Sequence, residues 1–465
     1  MRKCFHIFSA IEPESSNPLI ALCISFHGKY EFFCYEIVCQ EILILTNLLI
    51  ADSDWAPREL DAINNLHVER LYAHVMPYGE NQDFFLYLYL VLFESKFYKD
   101  VLLLLISPMQ AKEQLGKEAE LYTQLPNGRV KCTACARLCE IPEGKVGLCG
   151  IRGVTNSKLQ LFVYGRVIAG HIDPIEKKPV THYQPNTAIF SIATTGCNWL
   201  CKYCQNYDIS QRRKIEGIEM KPSEVVQKAQ SYGAHGIAYT YNEPSIFMEF
   251  AKDCGIEAHK KNIFNIFVSN GYDTPESVNM MSKFLDCITV DFKGSGKQEF
   301  VRQYIGIPSA EPIFQTLKEI KYRTKIHTEI TDLIVPRVGD DLEVAKRLCR
   351  FVYDELGPDT PIHFLRFHPD YKMLEFDMTP VETLEKHHAV AKEVGLKYVY
   401  LGNVPGHKLE HTYCPECETI AVQRFGFSIS SWNLDKNNCC NNCGYPIPII
   451  GRPKKFRKNL FQFIQ

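Results

Sequence analysis

The chain has 465 residues, 46% of them hydrophobic and 23% charged, and its 52 basic against 54 acidic side chains leave a net charge of −2. This composition excludes a collagen, a coiled coil or a wholly disordered chain. The near-neutral balance creates no electrostatic demand for a nucleic-acid backbone or an anionic membrane. The length suggests more than one domain.

Residues 1–110 contain apolar runs at 41–51, 84–93 and 101–106, but no motif. Glu94, Lys96, Lys99 and Asp100 interrupt the last two runs, which fall short of the roughly 20 uninterrupted apolar residues of a membrane helix. A buried helix, or an extension loosely docked on the rest, is expected here, with no membrane partner.

Nineteen cysteines is the outlying count, and twelve of them fall in three tight clusters within the last two-thirds of the chain. The N-terminus shows only a broken apolar stretch at 4–10 where a secreted disulfide scaffold would need a signal sequence. Metal ligation in a reducing, cytoplasmic compartment is therefore expected, because only adjacent thiolates can share an ion or cluster. The first cluster, Cys132, Cys135, Cys139 and Cys149, lies in a cysteine-rich lobe at 111–183. Its four thiolates fit a closed zinc site and equally an auxiliary iron–sulfur cluster.

From 184 to 405 short apolar runs alternate with amphipathic segments. The runs at 187–193, 236–241, 264–268, 287–292, 327–335, 362–367 and 397–401 read as buried strands. Thr274-Pro275 and Thr379-Pro380-Val381-Glu382 read as helix starts, the second as a capping box. Repeated strand–helix units predict an α/β fold, a complete or partial (β/α) barrel of TIM type, with functional residues at the C-terminal ends of the strands. Polar residues do follow the strands: Thr194-Thr195-Gly196-Cys197, Tyr241-Asn242-Glu243-Pro244, Ser269-Asn270-Gly271, Asp291-Phe292-Lys293, Pro336-Arg337, Arg366-Phe367-His368 and Gly402-Asn403.

The second cluster, Cys197-x3-Cys201-x2-Cys204, directly follows the first of these strands. Structural zinc wants four protein ligands, whereas three thiolates on a four-iron cluster leave one iron open to an exogenous ligand. A zinc site completed by a distant histidine is the alternative.

The third cluster, Cys414-x2-Cys417 and Cys440-x2-Cys443 with 22 residues between, has the spacing of a small zinc ribbon over 406–450. Cys439 competes with Cys440, but Cys440 keeps the x2 spacing and the following glycine. The tail at 451–465 holds five basic residues in seven at 452–458, read as a solvated terminus and not as a nucleic-acid contact.

The cysteine triplet after a strand resembles the hallmark of the radical S-adenosylmethionine (SAM) superfamily. Residues 130–450 further resemble the radical enzyme of the AmmeMemoRadiSam system, related to pyruvate formate-lyase activating enzymes, through CEIPEG at 139–144, YGRVIAGH at 164–171, DPIEKKP at 173–179 and SIATTGC at 191–197. The resemblance implies a radical SAM barrel with a [4Fe-4S] cluster on Cys197, Cys201 and Cys204, whose open iron binds SAM. Reductive cleavage then yields a 5′-deoxyadenosyl radical that takes hydrogen from substrate, the cofactor carrying the chemistry and the protein supplying orientation. It implies a low-potential electron donor such as ferredoxin or flavodoxin, and a protein or peptide glycyl position as substrate, or else another protein or small molecule.

Residue by residue, the resemblance places Tyr203 near the adenine. Asn242 and Glu243 occupy the place of a Gly-Gly-Glu-Pro segment that contacts the methionine amino group. Glycines are absent here, so only Glu243 carries over directly, and Asn242-Glu243-Pro244 is also a good helix start. Ser269 and Asn270, with Asp291 and Lys293, match rim motifs of the activating enzymes, but Val268 stands where those enzymes have aspartate. Lys293 suits a methionine carboxylate or a substrate acid, and Arg366 and His368 suit the ribose or the substrate. A reading from another class is a non-catalytic module with three zinc sites, which would purify colourless.

Overall fold

The structure is a computed structural model that describes residues 116–454 and, before them, five strands. The chain divides into two compact units, Met1–Glu113 and Gln114–Gln465.

In the first unit the strands form an antiparallel sheet in the order Phe5–Phe8, Leu19–His27, Asp83–Val91, Arg70–Tyr78, Tyr35–Ile37. The expectation of a buried helix is thus corrected for residues 84–91 of the run at 84–93, which are strand. Its aromatic residues, Phe84, Phe85, Tyr87 and Tyr89, favour extended backbone over helix. The runs at 41–51 and 101–106 lie outside the described residues.

The second unit is built on an eight-stranded mixed sheet: β1 (Ala169–Pro174), β2 (Ala188–Ala193), β3 (Gly236–Tyr239), β4 (Phe264–Ser269), β5 (Cys287–Lys293), β6 (His327–Ile334), β7 (Ile362–Arg366) and β8 (Val399–Gly402), in that spatial order. β1 pairs antiparallel with β2, and β2 to β8 run parallel. Among the described residues β1 and β8 are not paired, so hydrogen bonding does not close the sheet into a complete barrel.

Six helices connect the parallel strands: α1 (Pro222–Ser231), α2 (Met248–His259), α3 (Pro275–Met281), α4 (Glu311–Arg323), α5 (Leu342–Phe351) and α6 (Val381–Val394). α4 and α5 each bury one stripe at helical spacing, Ile313, Leu317 and Ile320 in α4 and Val344, Ala345 and Leu348 in α5, whereas α2 is buried all round its first turn. Thr274 caps α3 by accepting a hydrogen bond from the Ser277 amide at 3.1 Å. The capping box expected at Thr379 does not form. Its hydroxyl instead donates to the Ile334 carbonyl (2.6 Å) and accepts from the Phe367 amide (3.0 Å), joining the ends of β6 and β7. No helix among the described residues is long and apolar enough to cross a membrane.

Before β1, two three-stranded sheets carry the first cysteine cluster. After β8, Thr412–Tyr413, Ile420–Phe425 and Ser428–Trp432 form a three-stranded antiparallel sheet beside the last cluster. The chain then returns to the segment before β2: the Gln184 amide donates to the Ile450 carbonyl (2.7 Å) and the Ile450 amide to the His182 carbonyl (2.8 Å). Buried Glu329 of β6 accepts from the Thr181 and His182 amides and bonds His327 and His363. His182 in turn meets the Tyr400 hydroxyl at 2.7 Å and the Pro448 carbonyl at 3.2 Å. A buried carboxylate this fully partnered fixes the segment in place.

Candidate active site

The loop bearing Cys197, Cys201 and Cys204 leaves the C-terminal end of β2 and is pinned from several sides. The Leu200 and Lys202 amides donate to the Ile305 and Tyr304 carbonyls, both at 2.9 Å, and the Lys372 amide donates to the Lys202 carbonyl at 2.8 Å. Trp199 is buried edge-on to Tyr272. Asn242 donates to the Thr194 and Gly196 carbonyls at 2.7 and 2.9 Å, fixing the turn out of the strand. Gly196 makes this turn at φ +88°, a conformation that only glycine adopts without strain.

Burial pushes the three thiols up, Cys201 to about 12, and the neighbouring cysteines add to it at Cys197 and Cys201. The Lys293 ammonium works in the opposite direction on Cys201 and Cys204. The Cys204 sulfur lies 3.1 Å from the Ser210 hydroxyl. Three free cysteines on one loop offer soft sulfur donors, the ligand type of an iron–sulfur cluster.

Glu243, Ser269 and Asn270 come together beside this loop. One Glu243 oxygen accepts from the Ser245 amide (3.0 Å) and the Ser269 hydroxyl (2.9 Å), the other from the Asn270 amide (2.7 Å). Glu243 therefore caps the helical turn Pro244–Phe247 and clamps the end of β4. Asn270 reaches across to the Asn198 side chain at 2.8 Å, so this rim holds the cysteine loop directly. Asp273 is buried behind Glu243; burial and then the Glu243 charge push its carboxyl up to about 8.

Asp291 and Lys293 of β5 pair at 2.5 Å, and Thr331 donates to the other Asp291 oxygen at 2.5 Å. Burial disfavours the Lys293 charge, but Asp291 outweighs it and the ammonium is held. Tyr203 is buried, its ring stacked on Phe300 at 6.0 Å and edge-on to Phe367 at 5.9 Å. Arg366 spends its Nε on the Thr379 carbonyl at 2.8 Å, and His368 is exposed on the following loop, outside the network around Glu243.

The other two clusters differ in geometry. In the ribbon, the Cys414 and Cys443 sulfurs lie 3.5 Å apart and those of Cys417 and Cys440 3.7 Å apart. All four ribbon sulfurs lie within 4.8 Å of one another, and no other cysteine group among the described residues converges so closely. Cys439 turns away toward the Asn437 carbonyl. Cys132, Cys135, Cys139 and Cys149 instead line a narrow gap, about 10 Å³ in volume, with Arg137, Ile141, Arg152 and Asn198.

Several residues of the site escaped the sequence reading. Asn198 and Asn206 tie the loop to the rim, the latter by donating to the Tyr241 carbonyl at 3.0 Å. Buried Arg152 pairs with Glu249 of α2, which also accepts from the Glu120 and Leu121 amides and so fastens the cysteine-rich segment to the sheet's helices. The only sequence signal was their polarity beside a motif, which does not name a partner.

Comparison with known proteins places these features in a family. The Radical SAM superfamily profile matches residues 191–351. An uncharacterized protein of Methanocaldococcus jannaschii is 41% identical over 337 residues, covering 72% of this chain and 99% of that protein. Among solved structures, a pyruvate-formate lyase-activating enzyme domain from Bacteroides vulgatus is 16% identical, covering 37% of this chain and 100% of that one, with a TM-score of 0.32. A radical SAM methyltransferase from Sphaerobacter thermophilus is 13% identical over 47% of this chain and 67% of that one, with a TM-score of 0.39. The triplet at the end of β2 lies inside the matched span, and the chain belongs to the radical SAM superfamily, whose enzymes use a [4Fe-4S] cluster and SAM.

Proposed function

We propose that this chain cleaves SAM reductively to a 5′-deoxyadenosyl radical that abstracts hydrogen from a substrate. The carrying observation is the x3-x2 cysteine triplet on a loop pinned by Asn242, Asn270 and the 304–305 backbone at the C-terminal edge of the sheet. Cys197, Cys201 and Cys204 would hold the cluster, leaving one iron without a protein ligand. When bound, cluster and SAM supply the one-electron chemistry; the protein supplies placement and exclusion of water.

The chain's own residues divide that work. Asn242, Glu243, Ser269 and Asn270 hold the cysteine loop against the rim, so that Glu243 acts on the cofactor through positioning. Lys293, kept charged by Asp291, offers an ammonium to the methionine carboxylate or a substrate acid. Tyr203 sets the loop's depth through Phe300 and Phe367, beside the adenine. Arg366 and His368 serve the substrate side of the rim.

For the substrate we favour a protein or peptide glycyl position, as in pyruvate formate-lyase activation, supported by the Ser269-Asn270 and Asp291–Lys293 rim; another protein or a small molecule is the alternative. A low-potential donor such as ferredoxin or flavodoxin provides the electron. The ribbon binds zinc, supported by its 3.5 and 3.7 Å sulfur separations, close to the tetrahedral edge of about 3.8 Å set by a 2.3 Å Zn–S bond. The free cysteines of the described residues support a reducing compartment, the cytoplasm.

The test is anaerobic purification, dithionite reduction with SAM, and chromatography for 5′-deoxyadenosine, comparing wild type with Cys201→Ala. Deoxyadenosine from wild type alone supports the reading; none from fully iron-loaded wild type overturns it.

A further inference from the structure

The four cysteines before β1 and the four of the ribbon have the same ligand chemistry but different spacing, and spacing distinguishes a single ion from a cluster. Four thiolates on one zinc share a centre, so their sulfurs stand about 3.8 Å apart. In a four-iron cluster each thiolate binds a different iron at the corner of a cube, which spreads the sulfurs well beyond that edge. The ribbon sulfurs meet the first condition. Those of Cys132, Cys135, Cys139 and Cys149 form no such group: no three of them lie within 4.8 Å of one another, although all four line one narrow gap.

Cys197, Cys201 and Cys204 likewise do not all lie within 4.8 Å of one another. The two sites also share a wall. Asn198, next in sequence to Cys197, lines the four-cysteine gap. Arg137, which also lines that gap, donates its Nε–H to the Asn198 carbonyl at 2.9 Å. The Cys149 carbonyl packs directly on Gly196.

We propose that Cys132, Cys135, Cys139 and Cys149 hold a second, auxiliary four-iron cluster in place of zinc, separated from the catalytic triplet by the Asn198 wall. The inference deepens the proposed function and rests on it for the assignment of the triplet's iron.

The experiment uses the full chain carrying Cys197→Ala, Cys201→Ala and Cys204→Ala together, reconstituted anaerobically with iron and sulfide. The expected result is about four iron and about one zinc per chain, with an electron paramagnetic resonance signal of a reduced cluster after dithionite. Iron at background with about two zinc per chain would overturn it. Should the triple variant fail to fold, zinc and iron are counted on the wild-type holoprotein: about one zinc with about eight iron supports the cluster, whereas about two zinc with about four iron rejects it while leaving the catalytic triplet intact. Iron-loaded wild type that makes no deoxyadenosine rejects the catalytic reading separately.

Discussion

A β-carbon built on Gly196 would lie 2.5 Å from the carbonyl oxygen of Cys149, and Gly196 also holds a positive φ. The loop of the Cys197–Cys204 triplet and the four-cysteine segment therefore touch backbone to backbone. Gly196→Ala meets both a strained φ and a rigid obstacle, and is expected to lose at least about 2 kcal/mol of stability. Urea unfolding of the anaerobic protein measures this; an unchanged midpoint would refute the contact.

Arg152 and Glu249 form an ion pair with both side chains 1% exposed. Burial alone would push the Glu249 carboxyl up, but Arg152 outweighs it and holds the group below its usual range. Breaking such a pair strands a charge, so Arg152→Met should destabilise by about 3–5 kcal/mol, and the double variant with Glu249→Leu should recover part of that. Hydrogen exchange should show the segment at 117–155 loosening first in the single variant.

Asp273 gives stability a pH slope of predictable sign. Burial and the Glu243 charge push its folded carboxyl up to about 8, far above the unfolded value, so between about pH 4 and pH 8 the native Glu243–Asp273 pair binds a proton that the unfolded state has released. Stability should be fullest below about pH 4 as far as this group is concerned and decline by up to about 1.4 kcal/mol per pH unit on the way to pH 8. Asp273→Asn should flatten that slope in denaturation curves at pH 5, 6 and 7.

Cys440, and not its neighbour, takes part in the ribbon's sulfur group. Cys439→Ser should leave zinc at the wild-type level, while Cys440→Ser should lose it and lower the ribbon's melting temperature. Equal zinc in the two variants would contradict the geometry.

β2 to β8 were readable to within two residues at each end because short apolar-rich runs alternate with amphipathic helices, an order that β6 keeps in spite of His327, Glu329 and Asp332. β1 was not, because it stands outside that alternation, pairing antiparallel with β2. The triplet was legible from spacing alone. The part played by Asn198 was not, since its partner Asn270 lies 72 residues away and only the fold brings them together. Glu243 had two readings in the sequence, ligand or helix cap. Both its oxygens are engaged, by Ser245, Ser269 and Asn270, so the cap is formed in the structure.

The return of the chain end to the segment before β2 imposes an order on biosynthesis. His182 and Pro448, 266 residues apart, meet beside the buried Glu329 network. While the ribosome is still making the ribbon, His182 lacks its Pro448 partner and Gln184 its bond to Ile450, however completely the eight strands have paired. A chain stopped shortly after β8 would thus lose more than an appendage: it would leave the backbone beside Glu329 open to water, and such a fragment should be a target for cellular proteases.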